Sequence, residues 1–124
     1  MESTAPTDQA RPQILLVEDD DLVRRSLQLL LHGNGYHVRA FASVATAIAD
    51  PAALRVAALI TDFRLSDGDG IGMLRALISR GWRGRALMIT GHSTPALVDK
   101  ANASGFDAVL EKPFQPHRLM QALV

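Results

Sequence analysis

The chain contains no cysteine, which excludes a disulfide framework, a thiolate zinc site and a thiol nucleophile. It also lacks an excess of either charge. Thirteen Lys and Arg stand against thirteen Asp and Glu, for a formal net charge of zero, so no overall field draws the chain to nucleic acid or anionic lipid. Its apolar stretches, such as residues 56–60, fall far short of the ~18 residues that a membrane helix requires. Residues 1–12 have neither the basic nor the apolar segment of a secretory signal. The expectation is a cytoplasmic protein that touches neither membrane nor nucleic acid directly. The 124 residues make about one domain at the usual ~100–200 residues each, and exclude a two-domain enzyme.

What is present alternates. Residues 1–12, MESTAPTDQARP, are small, polar and twice interrupted by proline, and read as a flexible tail preceding a domain over residues 13–124. Ile14-Leu15-Leu16-Val17 is an apolar run without alternation, the pattern of a strand buried on both faces of a parallel sheet. It ends in acid, Glu18 to Asp21. Val23, Leu27, Leu30 and Leu31 then recur at helical spacing over residues 21–32, and Gly33-Asn34-Gly35 supplies a stop. Further strands are expected at residues 36–41, 56–61, 85–90 and 108–110. Between them, helices are expected from Ser43 as N-cap through Ala49, over residues 71–80, and from Pro95 to a glycine stop at Gly105. Residues 62–70 read as turn, Trp82 between two glycines as hydrophobic cover, and a last helix starts at Pro116. Strands alternating with helices predict an α/β, doubly wound parallel sheet with helices on both faces.

In such sheets ligands bind beyond the carboxyl ends of the strands. Glu18, Asp19, Asp62, Thr90 and Lys112 all follow strands at that end. Two carboxylates about 4 Å apart repel by roughly 4 kcal/mol at an effective dielectric near 20, so a cluster of three implies a cation. Oxygen-only ligands favour Mg2+, which keeps positions for water or phosphate oxygens. A carboxylate beside such a metal is able to act as nucleophile and become an aspartyl phosphate. Thr90 and Lys112 supply a hydroxyl and an ammonium for the remaining phosphoryl oxygens. Asp20 and Asp21 read as helix N-terminal charges. The four histidines share no ligand spacing, and Asp67-Gly68-Asp69-Gly70 lacks the closing glutamate of a calcium loop.

Over residues 13–124 the sequence resembles the receiver domains of bacterial two-component response regulators. The resemblance rests on Glu18-Asp19 after the first strand, Thr61-Asp62 with Gly70 eight residues on, Ile89-Thr90-Gly91, and Glu111-Lys112-Pro113-Phe114. It implies the flavodoxin-like, chemotaxis-regulator-like fold, five parallel strands in the order 2-1-3-4-5, with a cis Lys-Pro bond. It further implies Asp62 as phosphoacceptor and Mg2+ held by Glu18, Asp19, Asp62 and the backbone carbonyl of Arg64. Thr90 would be the switch hydroxyl, and Lys112 the contact to the phosphoryl group. The implied phosphodonor is a histidine kinase or phosphotransfer protein, and the implied output is control of dimerisation, through the fourth helix, fifth strand and fifth helix, or of an output domain. Catalysis is confined to the domain's own aspartyl phosphorylation and dephosphorylation.

The sequence departs from the family pattern in three places, the last of them a pair of positions. Ser66 stands where many receivers have proline, and Val109 where many have the aromatic partner of the switch threonine. Arg64 and His92 occupy the positions that in this family flank the attacking water, where the resemblance implies that they tune the lifetime of the phosphate. The phrasing Thr61-Asp62-Phe63-Arg64 and Thr90-Gly91-His92 is most like receivers that precede a helix-turn-helix domain, and the short last helix reads as cut from a longer regulator. The alternatives are a stand-alone regulator acting through protein partners and a phosphate-independent interaction module. An aspartate-nucleophile phosphatase is disfavoured because Arg64 replaces the second aspartate of Asp-x-Asp.

Overall fold

The computed structural model describes residues 11–124. The tail expected for residues 1–12 therefore lies outside the described residues, apart from its last two. These are tied down: the Pro12 carbonyl accepts from the His37 amide at 2.9 Å, and Arg11 donates to the His32 carbonyl at 3.3 Å.

Five strands form one parallel sheet: β1 (Gln13–Val17), β2 (His37–Phe41), β3 (Ala58–Asp62), β4 (Arg85–Thr90) and β5 (Ala108–Glu111). Their order is β2-β1-β3-β4-β5, as the resemblance implied. Among the described residues, five α-helices connect and follow them: α1 (Asp21–Gly33), α2 (Val44–Ile48), α3 (Gly70–Ser79), α4 (Pro95–Ser104) and α5 (Pro116–Leu123). Successive strand residues face opposite sides, so the apolar runs divide between two cores. Ile14, Leu16, Ile60, Leu87 and Ile89 pack against Leu27 and Leu31 of α1 and Leu119 of α5. Leu15, Val17, Leu59 and Met88 pack on the other face against Met73, Leu74 and Leu77 of α3 and Ala101 of α4.

Caps set the helix ends. Asp20 accepts from the Val23 amide, Ser43 from Thr46, Asp69 from Gly72 and Thr94 from Leu97, each satisfying a donor that has no partner within its helix. Gly105, at φ +111°, closes α4 in the left-handed conformation that favours glycine.

The third strand differs from expectation at both ends. It opens at Ala58 rather than Val56, because the Val56 carbonyl is taken by the Trp82 indole N–H at 2.9 Å instead of the ladder, and a 3-10 turn, Ala53–Arg55, precedes it. Trp82 is buried, as its reading as hydrophobic cover anticipated. Asp62 lies in the strand rather than after it, paired with Ile89. The turn expected at residues 62–70 contains a small antiparallel ribbon, Arg64–Leu65 against Gly68–Asp69.

Asp50 does more than close α2. Its buried carboxylate pairs in a bidentate manner with Arg39 of β2, Arg39 Nη2 lying 2.8 Å from Oδ1 and Nε contacting Oδ2. The Arg39 hydrogen bond holds the Asp50 carboxyl below the usual carboxylate range. A depressed folded value contributes stability that is present above the ordinary carboxylate value of the unfolded chain and lost as pH falls through the folded one. Asp50→Asn is expected to cost about 1–3 kcal/mol at neutral pH, with the gap to the parent closing in acid. Urea unfolding across the acid range checks this, and a gap independent of pH would contradict it.

Candidate functional site

The site lies where β1, β3, β4 and β5 end. Glu18 follows β1 directly and is fully buried, whereas Asp19 beside it is exposed. Their carboxylates, with that of Asp62 at the end of β3, bring one oxygen each within 4.8 Å of one another. Lys112, just past β5, reaches across with Nζ 2.6 Å from Glu18 Oε1 and 2.8 Å from Asp62 Oδ2. Glu18 is fixed further by the Asp20 amide, which donates to Oε2 at 3.2 Å, and by Arg24, which donates to its backbone carbonyl at 2.9 Å.

Burial pushes the Glu18 carboxyl above its ordinary range, and the Lys112 and Asp20 hydrogen bonds only partly oppose it. For Lys112, burial works against the charged form, but the bonds to Asp62 and Glu18 outweigh it and hold the ammonium above its ordinary value. One ammonium thus faces three carboxylates. The uncompensated charge and the all-oxygen donor set fit a hard divalent cation.

Thr90 ends β4, buried, and its backbone carbonyl accepts from the Lys112 amide at 2.7 Å. Its hydroxyl donates to the His92 carbonyl at 3.3 Å and accepts from the His92 amide at 3.2 Å, so among the described residues its hydrogen bonds stay within its own loop. The structure therefore gathers Glu18, Asp19, Asp62 and Lys112 directly, and leaves Thr90 turned to the β4–α4 loop. His92 is exposed. Arg64 is exposed too: its amide donates to Asp62 Oδ1 at 3.3 Å and its guanidinium lies 6.0 Å from the Phe63 ring centroid. Val109, paired with Met88 in the β4–β5 register, packs partly buried on the α3 side of the sheet. The Lys112–Pro113 bond is cis.

Gly70 has a steric role at the site. A Cβ there would lie 2.6 Å from the Asp62 carbonyl oxygen and 3.0 Å from Thr61 Cγ2, so no other residue lets α3 start this close to the strand end. Three contributors escaped the sequence reading. They are the Asp20 amide on Glu18, the Arg24 guanidinium on the Glu18 carbonyl, and Glu111, whose Oε1 accepts from the Ser93 amide at 3.1 Å and ties the β4–α4 loop to β5. Spacing carried a signal only for Arg24, one helical turn from Asp21, with which it pairs at 2.6 Å.

Comparison with known proteins agrees with this geometry. The family model of the response regulator receiver domain matches residues 14–124. The transcriptional regulatory protein FixJ of Rhizobium meliloti is 31% identical over 108 residues, covering 87% of this chain and 53% of FixJ. The C4-dicarboxylate transport transcriptional regulatory protein DctD of the same organism is 29% identical over 113 residues, 91% of this chain and 25% of DctD. Among solved structures, the chemotaxis protein CheY4 of Vibrio cholerae superimposes with a TM-score of 0.84 at 24% identity, over 93% of this chain and all of that one. A receiver domain protein from Clostridium thermocellum gives 0.82 at 22% identity, over 90% of each. Parallel-sheet order, acidic pocket and family match together define a receiver domain, the phosphorylation-operated switch module of two-component signalling. The chain belongs to the response regulator receiver family. It spans between 25% and 53% of the length of the two curated relatives described.

Proposed function

We propose that Asp62 is the phosphoacceptor of this receiver and that the acid pocket works with Mg2+. The observation that carries the reading is the convergence of Glu18, Asp19 and Asp62 on one point, with Lys112 bridging two of them. Glu18, Asp19, Asp62 and the Arg64 carbonyl would hold the ion, which supplies positive charge against the transferring phosphoryl oxygens. An Asp62 carboxylate oxygen attacks the phosphorus of a phosphohistidine. The new O–P bond forms as the P–N bond breaks, and the electron pair of that bond leaves with the imidazole nitrogen. Lys112, already 2.8 Å from Asp62 Oδ2, is placed to donate to a phosphoryl oxygen, and Thr90 moves inward to a second.

The partner is a histidine kinase or phosphotransfer protein, and the domain acts on no free substrate beyond its own phosphorylation and dephosphorylation. The names of FixJ and DctD support a transcriptional output, controlled through dimerisation on the α4–β5–α5 face or through an attached domain. Among the described residues no helix is long and apolar enough to cross a membrane, in keeping with a cytoplasmic location.

Incubation with acetyl phosphate and magnesium is expected to add one phosphoryl group, read by intact mass, and Asp62→Asn is expected to abolish the gain. Chelating the magnesium should suppress it in the parent. A full gain in Asp62→Asn would move the acceptor elsewhere.

A further inference from the structure

Asp67, in the turn of the ribbon that follows Asp62, directs its carboxylate out of that loop altogether. Oδ1 accepts from the Val44 amide at 2.9 Å and Oδ2 from the Ala45 amide at 3.0 Å. These are the first amides of α2, donors that the helix cannot satisfy internally. Its own cap, Ser43, is spent on Thr46. The ribbon also rests on α2: a Cβ added to Gly68 would stand 3.4 Å from Val44 Cγ2, in ordinary contact. Hydrogen bonds from Ala45 and Val44 hold the Asp67 carboxyl below the usual range, so the charged form is the one that is bound.

The other end of the ribbon is held as firmly. The Gly70 amide donates to the Phe63 carbonyl at 2.8 Å, and Gly70 abuts the Asp62 carbonyl with no room for a side chain. Arg64 lies between these two anchors, paired with Asp69, its amide on Asp62 Oδ1. Arg64 thus begins beside the very carboxylate that the proposed function phosphorylates.

We propose that Asp67 is a positioning residue: by tethering the ribbon to α2 it holds Arg64 against Asp62, and thereby sets how long a phosphoryl group persists there. The inference rests on Asp62 as phosphoacceptor. In the step concerned, a water oxygen bonds to phosphorus as the Asp62 O–P bond breaks. The electron pair of that bond restores the Asp62 carboxylate, and dihydrogen phosphate leaves with both water protons. With the tether cut, the ribbon no longer fixes Arg64 beside Asp62 while that water approaches.

The test labels the protein with acetyl phosphate and magnesium, removes the donor by desalting, and follows the decay of the added mass. Asp67→Ala is expected to shorten the lifetime about threefold or more. Asp67→Asn, which keeps one acceptor oxygen, should fall between it and the parent. The decisive arm is a double-mutant cycle: in an Arg64→Ala background, Asp67→Ala should change the lifetime no further. An unchanged lifetime in both Asp67 variants overturns the proposal, and so does an undiminished effect in the Arg64→Ala background, because the coupling would then bypass the Arg64 side chain. A parent that takes no label overturns the reading of Asp62, which separates the two failures.

Discussion

Replacing Lys112 by alanine is expected to make the fold depend on magnesium. Lys112 Nζ stands between Glu18 Oε1 and Asp62 Oδ2, and Glu18 is fully buried, so the substitution leaves three neighbouring carboxylates with no ammonium among them. Breaking a buried ion pair by deleting one partner costs ~3–5 kcal/mol, and part of that is recovered here through solvent, giving about 2–3 kcal/mol. The same deletion removes a competitor for the cation site. A unit charge about 4 Å away is worth up to roughly 4 kcal/mol at an effective dielectric near 20, so the variant should bind magnesium at least about tenfold more tightly. Phosphoryl uptake should nonetheless fall, because the ammonium that we propose meets a phosphoryl oxygen is gone. Thermal unfolding with and without magnesium, together with calorimetric titration, tests the balance. Equal stability in the metal-free parent and variant, or an unchanged magnesium affinity, would show that Lys112 does not carry the compensating charge.

The frame of this site was legible in the residue order because the sheet topology does the assembling. Once Ile14 to Val17 is a doubly buried strand and the chain alternates, Glu18, Asp62, Thr90 and Lys112 fall at one end of a parallel sheet whatever the details of the loops. Local signals also sufficed for helix ends, where Ser43, Pro95 and Gly105 act within a turn of themselves. What escaped was pairing between residues distant in sequence. Asp50 with Arg39, Asp67 with the start of α2, and Trp82 with the Val56 carbonyl join positions 11 to 26 residues apart, and no periodicity marks them. Asp67 and Asp69 have the spacing of a calcium loop's start without its closing glutamate. Each instead caps a helix, one at long range and one locally. The direction of the Thr90 hydroxyl escaped for another reason: a threonine that ends a strand has equally good partners in its own loop and across the site.

That direction supports the second large expected effect. Thr90→Ala should accept a phosphoryl group at close to the parent's extent and yet fail to respond to it. The Thr90 hydroxyl is engaged with both backbone groups of His92, and the loop it belongs to is held to β5 by Lys112 N–H on the Thr90 carbonyl and by Glu111 on the Ser93 amide. For Thr90 to reach a phosphoryl oxygen it must release His92, and the loop leading into α4 must re-pack. On the proposed reading the new charge of roughly −1.5 to −2 would shift that equilibrium toward the engaged form, and without the hydroxyl there would be nothing to couple the two. Val109 has a short, stiff side chain already packed against the α3 side, so it offers no ring to exchange between exposed and buried positions. The readout must then travel through the backbone of the β4–α4 loop and the displacement of α4. Amide hydrogen exchange over α4, with sedimentation alongside, is to be compared with and without beryllofluoride. The parent, Thr90→Ser and Val109→Ala should change, the last modestly, while Thr90→Ala should stay at its resting pattern. A Thr90→Ala response as large as the parent's would remove Thr90 from the signalling route and leave the Glu111 tie to Ser93 as the part of the loop that senses the phosphate.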